Sequence, residues 1–125
     1  MTKVLIVDDN ADHAVALGKL LEALGHRVIT AANGRGALLH VLNQPPDVVL
    51  LDLFMPEMDG PSFLEVIRSY LRIHNLPVVI LSAIEDGPMV ERAKALAVNC
   101  ILAKGKATID DIQRAINEAL QSRHG

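Results

Sequence analysis

Val48-Val49-Leu50-Leu51 runs straight into Asp52, and Pro45-Pro46 stands just upstream. Four branched apolar residues between a helix breaker and a carboxylate read as a short strand buried on both faces. The pattern recurs three times. Val4-Leu5-Ile6-Val7 runs into Asp8-Asp9, Val78-Val79-Ile80-Leu81 into Ser82, and Cys100-Ile101-Leu102-Ala103 into Lys104. Strands that are apolar throughout belong to a parallel sheet covered by helices on both sides. Such strands deliver the residues that follow them to one carboxyl edge, and open α/β sheets bind ligands in the crevice outside that edge.

The segments between these strands carry helical spacing. Ala14, Leu17, Leu20, Leu21 and Leu24 predict a first helix that stops at Gly25. Arg27 to Ala31 reads as an edge strand, because Val28 and Ile29 have mixed neighbours. Asn33-Gly34 is a turn signal before a second helix with the stripe Ala37, Leu38, Val41 and Leu42. Pro61 suits the first turn of a third helix, whose expected buried face is Phe63, Leu64, Ile67, Tyr70 and Leu71. Gly87-Pro88 opens a shorter helix containing Val90, Ala93, Leu96 and Ala97. Thr108 is the expected N-cap of a fifth, with Asp110 and Asp111 in the first turn where the helix dipole favours anions. The fold expected is α/β, a doubly wound five-stranded parallel sheet with five helices, forming one domain over residues 1–125. Right-handed crossovers put helices on both faces. The flavodoxin-like strand order 2-1-3-4-5 sets strands 1 and 3 side by side at the switch point.

Composition narrows the function. Half the residues are apolar and 22% are charged, the balance of an ordinary globule. A net charge of −3 argues against a dedicated nucleic-acid binder, which would carry a basic face. Cys100 is the single cysteine and lies in an apolar run, so it reads as a packed small hydrophobe. No apolar run reaches the ~18 residues a membrane span needs, and Thr2-Lys3 does not open a signal peptide. The expectation is a cytoplasmic protein.

Bringing Asp8, Asp9 and Asp52 together is electrostatically costly. Two unit charges ~4 Å apart repel by about 1 kcal/mol in water and about 4 kcal/mol at an effective dielectric near 20. A bound cation offsets that repulsion, and an all-oxygen cluster selects a hard ion such as Mg2+. Asp52 beside such an ion suits a phosphoryl acceptor, with Lys104 neutralising charge on the phosphoryl oxygens. Each residue alone has a plainer reading. Asp8 or Asp9 caps a helix, Ser82 is a loop hydroxyl, Lys104 is a solvated lysine, Asp59-Gly60 is a turn, and Met55 and Met58 pack. His13, His26, His40, His74 and His124 show no metal-ligand spacing and read as surface or helix residues.

Taken together, Asp8-Asp9-Asn10, Asp52 with Met55-Pro56 and Met58-Asp59-Gly60, Ser82-Ala83 and Lys104 resemble the receiver domain of bacterial response regulators. The resemblance runs over the whole chain, including Gly25-His26-Arg27-Val28 and Ala32-Asn33-Gly34. It implies Asp52 as phospho-acceptor, and Asp8, Asp9 and the Phe54 backbone carbonyl as magnesium ligands with Asp52. It implies that Ser82 bonds a phosphoryl oxygen after the switch and that Lys104 pairs with the phosphoryl group. The implied donor is a histidine kinase or phosphotransfer protein, and the implied reader is a downstream protein or an output domain absent from this chain. A phosphorylation-dependent dimer through helix 4, strand 5 and helix 5 is also implied. The implied chemistry is self-directed phosphotransfer and autodephosphorylation rather than turnover of a separate substrate.

Three positions depart from that family. Ile101 stands where many receivers carry a Tyr or Phe that swings inward. Gly105 stands where a cis-proline is usual, and a non-proline cis bond costs about 2.5–4 kcal/mol, so a trans bond is expected here. Phe54 is bulky and apolar where smaller or polar residues are common, and it is expected to restrict approach of hydrolytic water. Two rival functions are weaker. A haloacid-dehalogenase-type phosphatase needs a second acid two residues after its nucleophile, where this chain has Phe54. A flavodoxin-like FMN carrier needs a hydroxyl- and glycine-rich loop after strand 1, where Asp8-Asp9-Asn10 would repel the phosphate.

Overall fold

A computed structural model describes residues 2–124. The elements alternate strictly: β1 (Lys3–Val7), α1 (Ala11–Ala23), β2 (Arg27–Ala31), α2 (Gly34–Asn43), β3 (Val48–Asp52), α3 (Gly60–Ser69), β4 (Val78–Ser82), α4 (Pro88–Lys94), β5 (Cys100–Ala103) and α5 (Ile109–His124). The strands form one sheet in the order β2-β1-β3-β4-β5, and every neighbouring pair is parallel. β1, β3 and β4 are buried nearly end to end, as strands covered on both faces must be.

Side chains alternate along each strand, and this divides the core in two. Leu5, Val7, Val49, Leu51, Val78 and Ile80 face Ala37 and Val41 of α2, Phe63, Leu64 and Ile67 of α3, and Val90 and Ala93 of α4. Val4, Ile6, Val48, Leu50, Val79 and Leu81 face Ala14, Leu17 and Leu21 of α1 and Ile112, Ala115, Ile116 and Ala119 of α5. The same alternation decides which side of the sheet each functional residue continues.

Local chemistry sets the helix starts. Asn10, rather than Asp8 or Asp9, caps α1: its side-chain oxygen accepts from His13 N at 3.1 Å. Asn33 accepts from Gly36 N at 2.8 Å and Asp59 from Ser62 N at 2.8 Å. Thr108 Oγ1 accepts from Asp111 N while Asp111 Oδ2 accepts from Thr108 N, a reciprocal cap on α5.

Three expected helix faces differ in detail. Leu20 and Leu24 are half exposed. The buried stripe of α1 runs instead through Ala14, Leu17, Gly18 and Leu21, because Gly18 lets the helix close onto Val28 of β2. α3 ends at Ser69, so Tyr70 is half exposed and Leu71 almost fully so. Ile73 and Leu76, from the following turn, fill the space those two were expected to occupy. Arg68 enforces this turn by donating to the carbonyls of His74, Leu76, Leu96 and Ala97. α4 ends at Lys94, which leaves Leu96 and Ala97 in a turn where Ala97 has φ 59°.

Gly60 packs the start of α3 directly beneath the end of β3. A Cβ there would lie 2.7 Å from Leu53 Cα and 3.0 Å from the Asp52 carbonyl oxygen. Both obstacles are backbone and cannot rotate away. Gly60→Ala is therefore expected to destabilise the fold by about 3 kcal/mol, the upper end for overpacking. Urea unfolding measures it, and a loss below about 1 kcal/mol would show that β3 yields more easily than this packing implies.

Candidate functional site

β1 and β3 are adjacent, with Val7 in register with Leu51, so Asp8 and Asp52 leave the sheet side by side. Both follow the alternation of the α1/α5 face, as does Lys104 after Cys100 and Leu102. Asp8 and Asp52 are buried, at 4% and 5% exposure. The Lys104 ammonium bridges them: Nζ lies 3.1 Å from Asp8 Oδ2 and 3.1 Å from Asp52 Oδ2. Asp9 is exposed, yet one carboxylate oxygen from each of Asp8, Asp9 and Asp52 falls within 4.8 Å of the others.

Backbone amides complete the carboxylate shells. Asp8 Oδ1 accepts from Asn10 N at 2.9 Å, and Asp52 Oδ1 from Phe54 N at 3.2 Å. Phe54 itself is 38% exposed at the mouth of the site. Burial pushes the Asp8 pKa up, but hydrogen bonds from Asn10 N, Lys104 and His13 outweigh it and hold Asp8 below its ordinary value. At Asp52 burial prevails over Lys104 and Phe54 N, and the neighbouring Asp8 charge adds to it, so the pKa is raised. Burial acts to lower the Lys104 pKa, but its bonds to Asp8 and Asp52 reverse the direction and raise it.

Ser82 reaches the same sheet edge but not the carboxylate cluster. It follows the alternation of Val78 and Ile80, on the α2/α3/α4 face, and its register partner is Ala103. Its hydroxyl donates to Ile84 O at 2.6 Å and accepts from Ile84 N at 3.1 Å, tying it to the loop that leads into α4. Ile101 shares that face. With Ser82, Ile84, Lys94 and Ala103 it lines a groove of about 380 Å³. After Lys104 the chain turns through Gly105 at φ 86°, and among the described residues no peptide bond is cis. Glycine's access to positive φ thus supplies the turn that proline makes elsewhere.

One residue of the site was not expected from the sequence. His13 Nδ1 lies 2.6 Å from Asp8 Oδ2. The signal was local: His13 is the third residue after the Asn10 cap, one helical turn on, and this returns its ring toward the end of β1. Of the other histidines, His40 is exposed, and the His124 side chain lies outside the described residues. His26 bonds Gln113 on α5, and His74 bonds the Leu71 carbonyl.

Residues 4–117 match the family model of the response regulator receiver domain. The chain belongs to the response regulator receiver domain family. It is 37% identical over 115 residues to a probable chemotaxis protein CheY of Rhizobium etli, covering 91% of this chain and 88% of that protein. It is 44% identical over 86 residues to the transcriptional regulatory protein KdpE of Mycobacterium tuberculosis, covering 69% of this chain but only 37% of that protein. Among solved structures, the chemotaxis response regulator CheY4 of Vibrio cholerae superposes with a TM-score of 0.87 at 27% identity, covering 96% of this chain and 99% of that one. This receiver domain is accordingly a phospho-acceptor module of two-component signalling. The phosphatase alternative gains nothing from the geometry, since exposed Phe54 stands where a second acid would be required.

Proposed function

We propose that Asp52 is the phospho-acceptor, that Asp8 and Asp9 hold Mg2+ with Asp52 and the Phe54 carbonyl, and that Lys104 and Ser82 bind the phosphoryl oxygens. The observation that carries this reading is the ammonium of Lys104 held between two buried carboxylates, Asp8 and Asp52, at the carboxyl edge of the sheet. Three hard oxygen donors within 4.8 Å of one another fit a magnesium ion, which prefers one or two carboxylates plus water and phosphate oxygens. Bound there, Mg2+ neutralises the carboxylate cluster and the incoming phosphoryl charge.

The donor is a phosphohistidine of a histidine kinase or phosphotransfer protein. A carboxylate oxygen of Asp52 forms the new P–O bond as the P–N bond breaks, and the donor imidazole keeps the electron pair. Lys104 then exchanges a carboxylate partner for a phosphoryl oxygen. Ser82 leaves Ile84 to bond the phosphoryl group and draws the β4–α4 loop with it. The consequence is a population shift on the α4–β5–α5 face, limited by how much better one arrangement binds the phosphoryl group. That face is the surface proposed for a downstream partner or a phosphorylation-dependent dimer. Ile101 supplies no hydroxyl to this shift, so the loop and Ser82 carry it. Phe54 slows autodephosphorylation by covering the line of water approach. Function in the cytoplasm is part of the same proposal; among the described residues no helix is long and apolar enough to cross a membrane.

Acetyl phosphate and Mg2+ test the reading. One phosphoryl group should add to the chain, and borohydride reduction of the acyl phosphate should convert residue 52 to homoserine, located by peptide mass mapping. Labelling at any other residue would overturn the assignment. Mg2+ should also stabilise the fold, because it binds the assembled cluster and not the unfolded chain. A hundredfold excess over the dissociation constant is worth about 2.7 kcal/mol. Asp9→Ala, at an exposed position, should remove most of that gain while leaving the metal-free protein as stable as wild type. Thermal melting with and without Mg2+ measures both, and a melting point indifferent to Mg2+ would count against the metal centre.

A further inference from the structure

We infer that His13 is a positioning residue for the cation site. Its Nδ1–H holds Asp8 Oδ2 in place, and this sets the affinity of the carboxylate cluster for a hard divalent cation. The inference rests on the reading of Asp8, Asp9 and Asp52 as a metal centre.

The geometry is a closed ring of local bonds. Asn10 N donates to Asp8 Oδ1 at 2.9 Å, Asn10 Oδ1 accepts from His13 N at 3.1 Å, and His13 Nδ1 returns to Asp8 Oδ2 at 2.6 Å. An ionised carboxylate only accepts, so the imidazole nitrogen is the donor. The short distance is that of a charge-assisted bond. The Asp8 side chain is 3% exposed and that of His13 is 32% exposed, so the ring covers Asp8 while keeping one edge in water.

His13 acts through Asp8 and is not itself a ligand. The donor atoms that gather within 4.8 Å of one another belong to Asp8, Asp9 and Asp52, not to His13. Its effect follows from what else holds Asp8. Lys104 contacts both Asp8 oxygens, at 3.2 Å for Oδ1 and 3.1 Å for Oδ2. A cation entering the cluster competes with that ammonium for the same oxygens. Once Lys104 gives way, only Asn10 N and His13 fix the plane of the carboxylate. Mg2+ tolerates little departure from octahedral geometry, so a carboxylate held in advance binds it better than one free to rotate. Hydrogen-bond partners of metal ligands are commonly worth 10- to 100-fold in affinity.

The test is calorimetric titration of the full chain with MgCl2 at one fixed pH, for wild type, His13→Leu and His13→Asn. Leucine keeps helix propensity and removes the donor. Asparagine places an amide nitrogen where Nδ1 stood. His13→Leu should bind Mg2+ about 10-fold more weakly, and His13→Asn should recover most of the loss. Without metal His13→Leu should melt somewhat below wild type, because a buried carboxylate loses one of its donors, and His13→Asn should recover most of that too; the Mg2+ affinities are read separately by calorimetry on the folded proteins. Equal affinities for wild type and His13→Leu would overturn the inference, and so would a His13→Asn variant no better than His13→Leu. Wild-type protein that binds no Mg2+ would overturn the metal centre itself, and with it the role of His13.

Discussion

Asp52→Asn will abolish phosphoryl incorporation from acetyl phosphate and raise the melting temperature of the metal-free protein. The loss is complete because the amide is no nucleophile, and among the described residues the other carboxylate on Lys104 is Asp8, which accepts from Asn10 N and His13 as well as from Lys104. The gain follows from the raised pKa of Asp52. A carboxyl whose folded pKa exceeds its unfolded value binds its proton more tightly in the folded state. The stability this brings is present below the unfolded pKa and is lost as pH rises through the folded one. At neutral pH the ionised Asp52 is therefore a net cost. Burial is the largest part of that cost and repulsion from Asp8 adds to it, while the bonds from Lys104 and Phe54 N offset part of it. An uncharged amide is relieved of both, and each kcal/mol so recovered corresponds to about 4 °C for a chain of this size. The difference should shrink as pH falls through the raised pKa of Asp52, where the wild-type carboxyl takes up its proton. A lower melting point for the variant at pH 7, or undiminished phosphorylation, would contradict the account.

Much of this was legible from strand ends alone. Apolar runs stop at charged residues because a parallel strand is buried over its length and wet at its edge. Once Val48–Leu51 was read as such a strand, Asp52 had to emerge beside Asp8. Simple counting along the strands carries one step further. Asp8, Asp52 and Lys104 share an alternation and meet, whereas Ser82 and Ile101 share the opposite one and face α4. Ser82 thus stands at the edge of the cluster yet bonds its own loop.

What the sequence hid was decided by competition between near-equivalent residues. Five apolar residues in α1 lie at helical spacing, and only the close approach at Gly18 selects Ala14, Leu17 and Leu21 over Leu20 and Leu24. Tyr70 and Leu71 continue the apolar pattern of α3, but Arg68 draws four carbonyls around its guanidinium and ends the helix before them. His13 escaped notice because its partner is five residues back, across a cap whose geometry no hydrophobic period reports. Gly105 went the other way. The cost of a non-proline cis bond predicted a trans peptide, and positive φ at a glycine supplies the turn.

Lys104→Met will destabilise the metal-free protein by about 3 kcal/mol, and Mg2+ will restore most of it. Removing one partner from a buried ion pair leaves an uncompensated charge and costs about 3–5 kcal/mol. Here the ammonium retains 19% side-chain exposure, which places the loss at the lower end. The raised pKa of Lys104 gives the sign on the alkaline side: its contribution is present below the unfolded value and fades as pH climbs through the folded one. On the acid side the deficit should narrow, because protonating either carboxylate removes the repulsion that the ammonium no longer screens. At the proposed metal centre Mg2+ would bind the same oxygens that Lys104 holds, so in wild type it would compete with the ammonium, and in the variant it would not. The metal-induced gain should therefore be larger in Lys104→Met than in wild type. Adding Asp52→Asn should stabilise the variant by more than it stabilises wild type, since the two residues are directly bonded and their effects couple. Urea unfolding of the four proteins in chelator and in Mg2+ measures the whole cycle. A variant as stable as wild type without metal, or a deficit that Mg2+ leaves untouched, would mean that Lys104 does not stand in for a cation between Asp8 and Asp52.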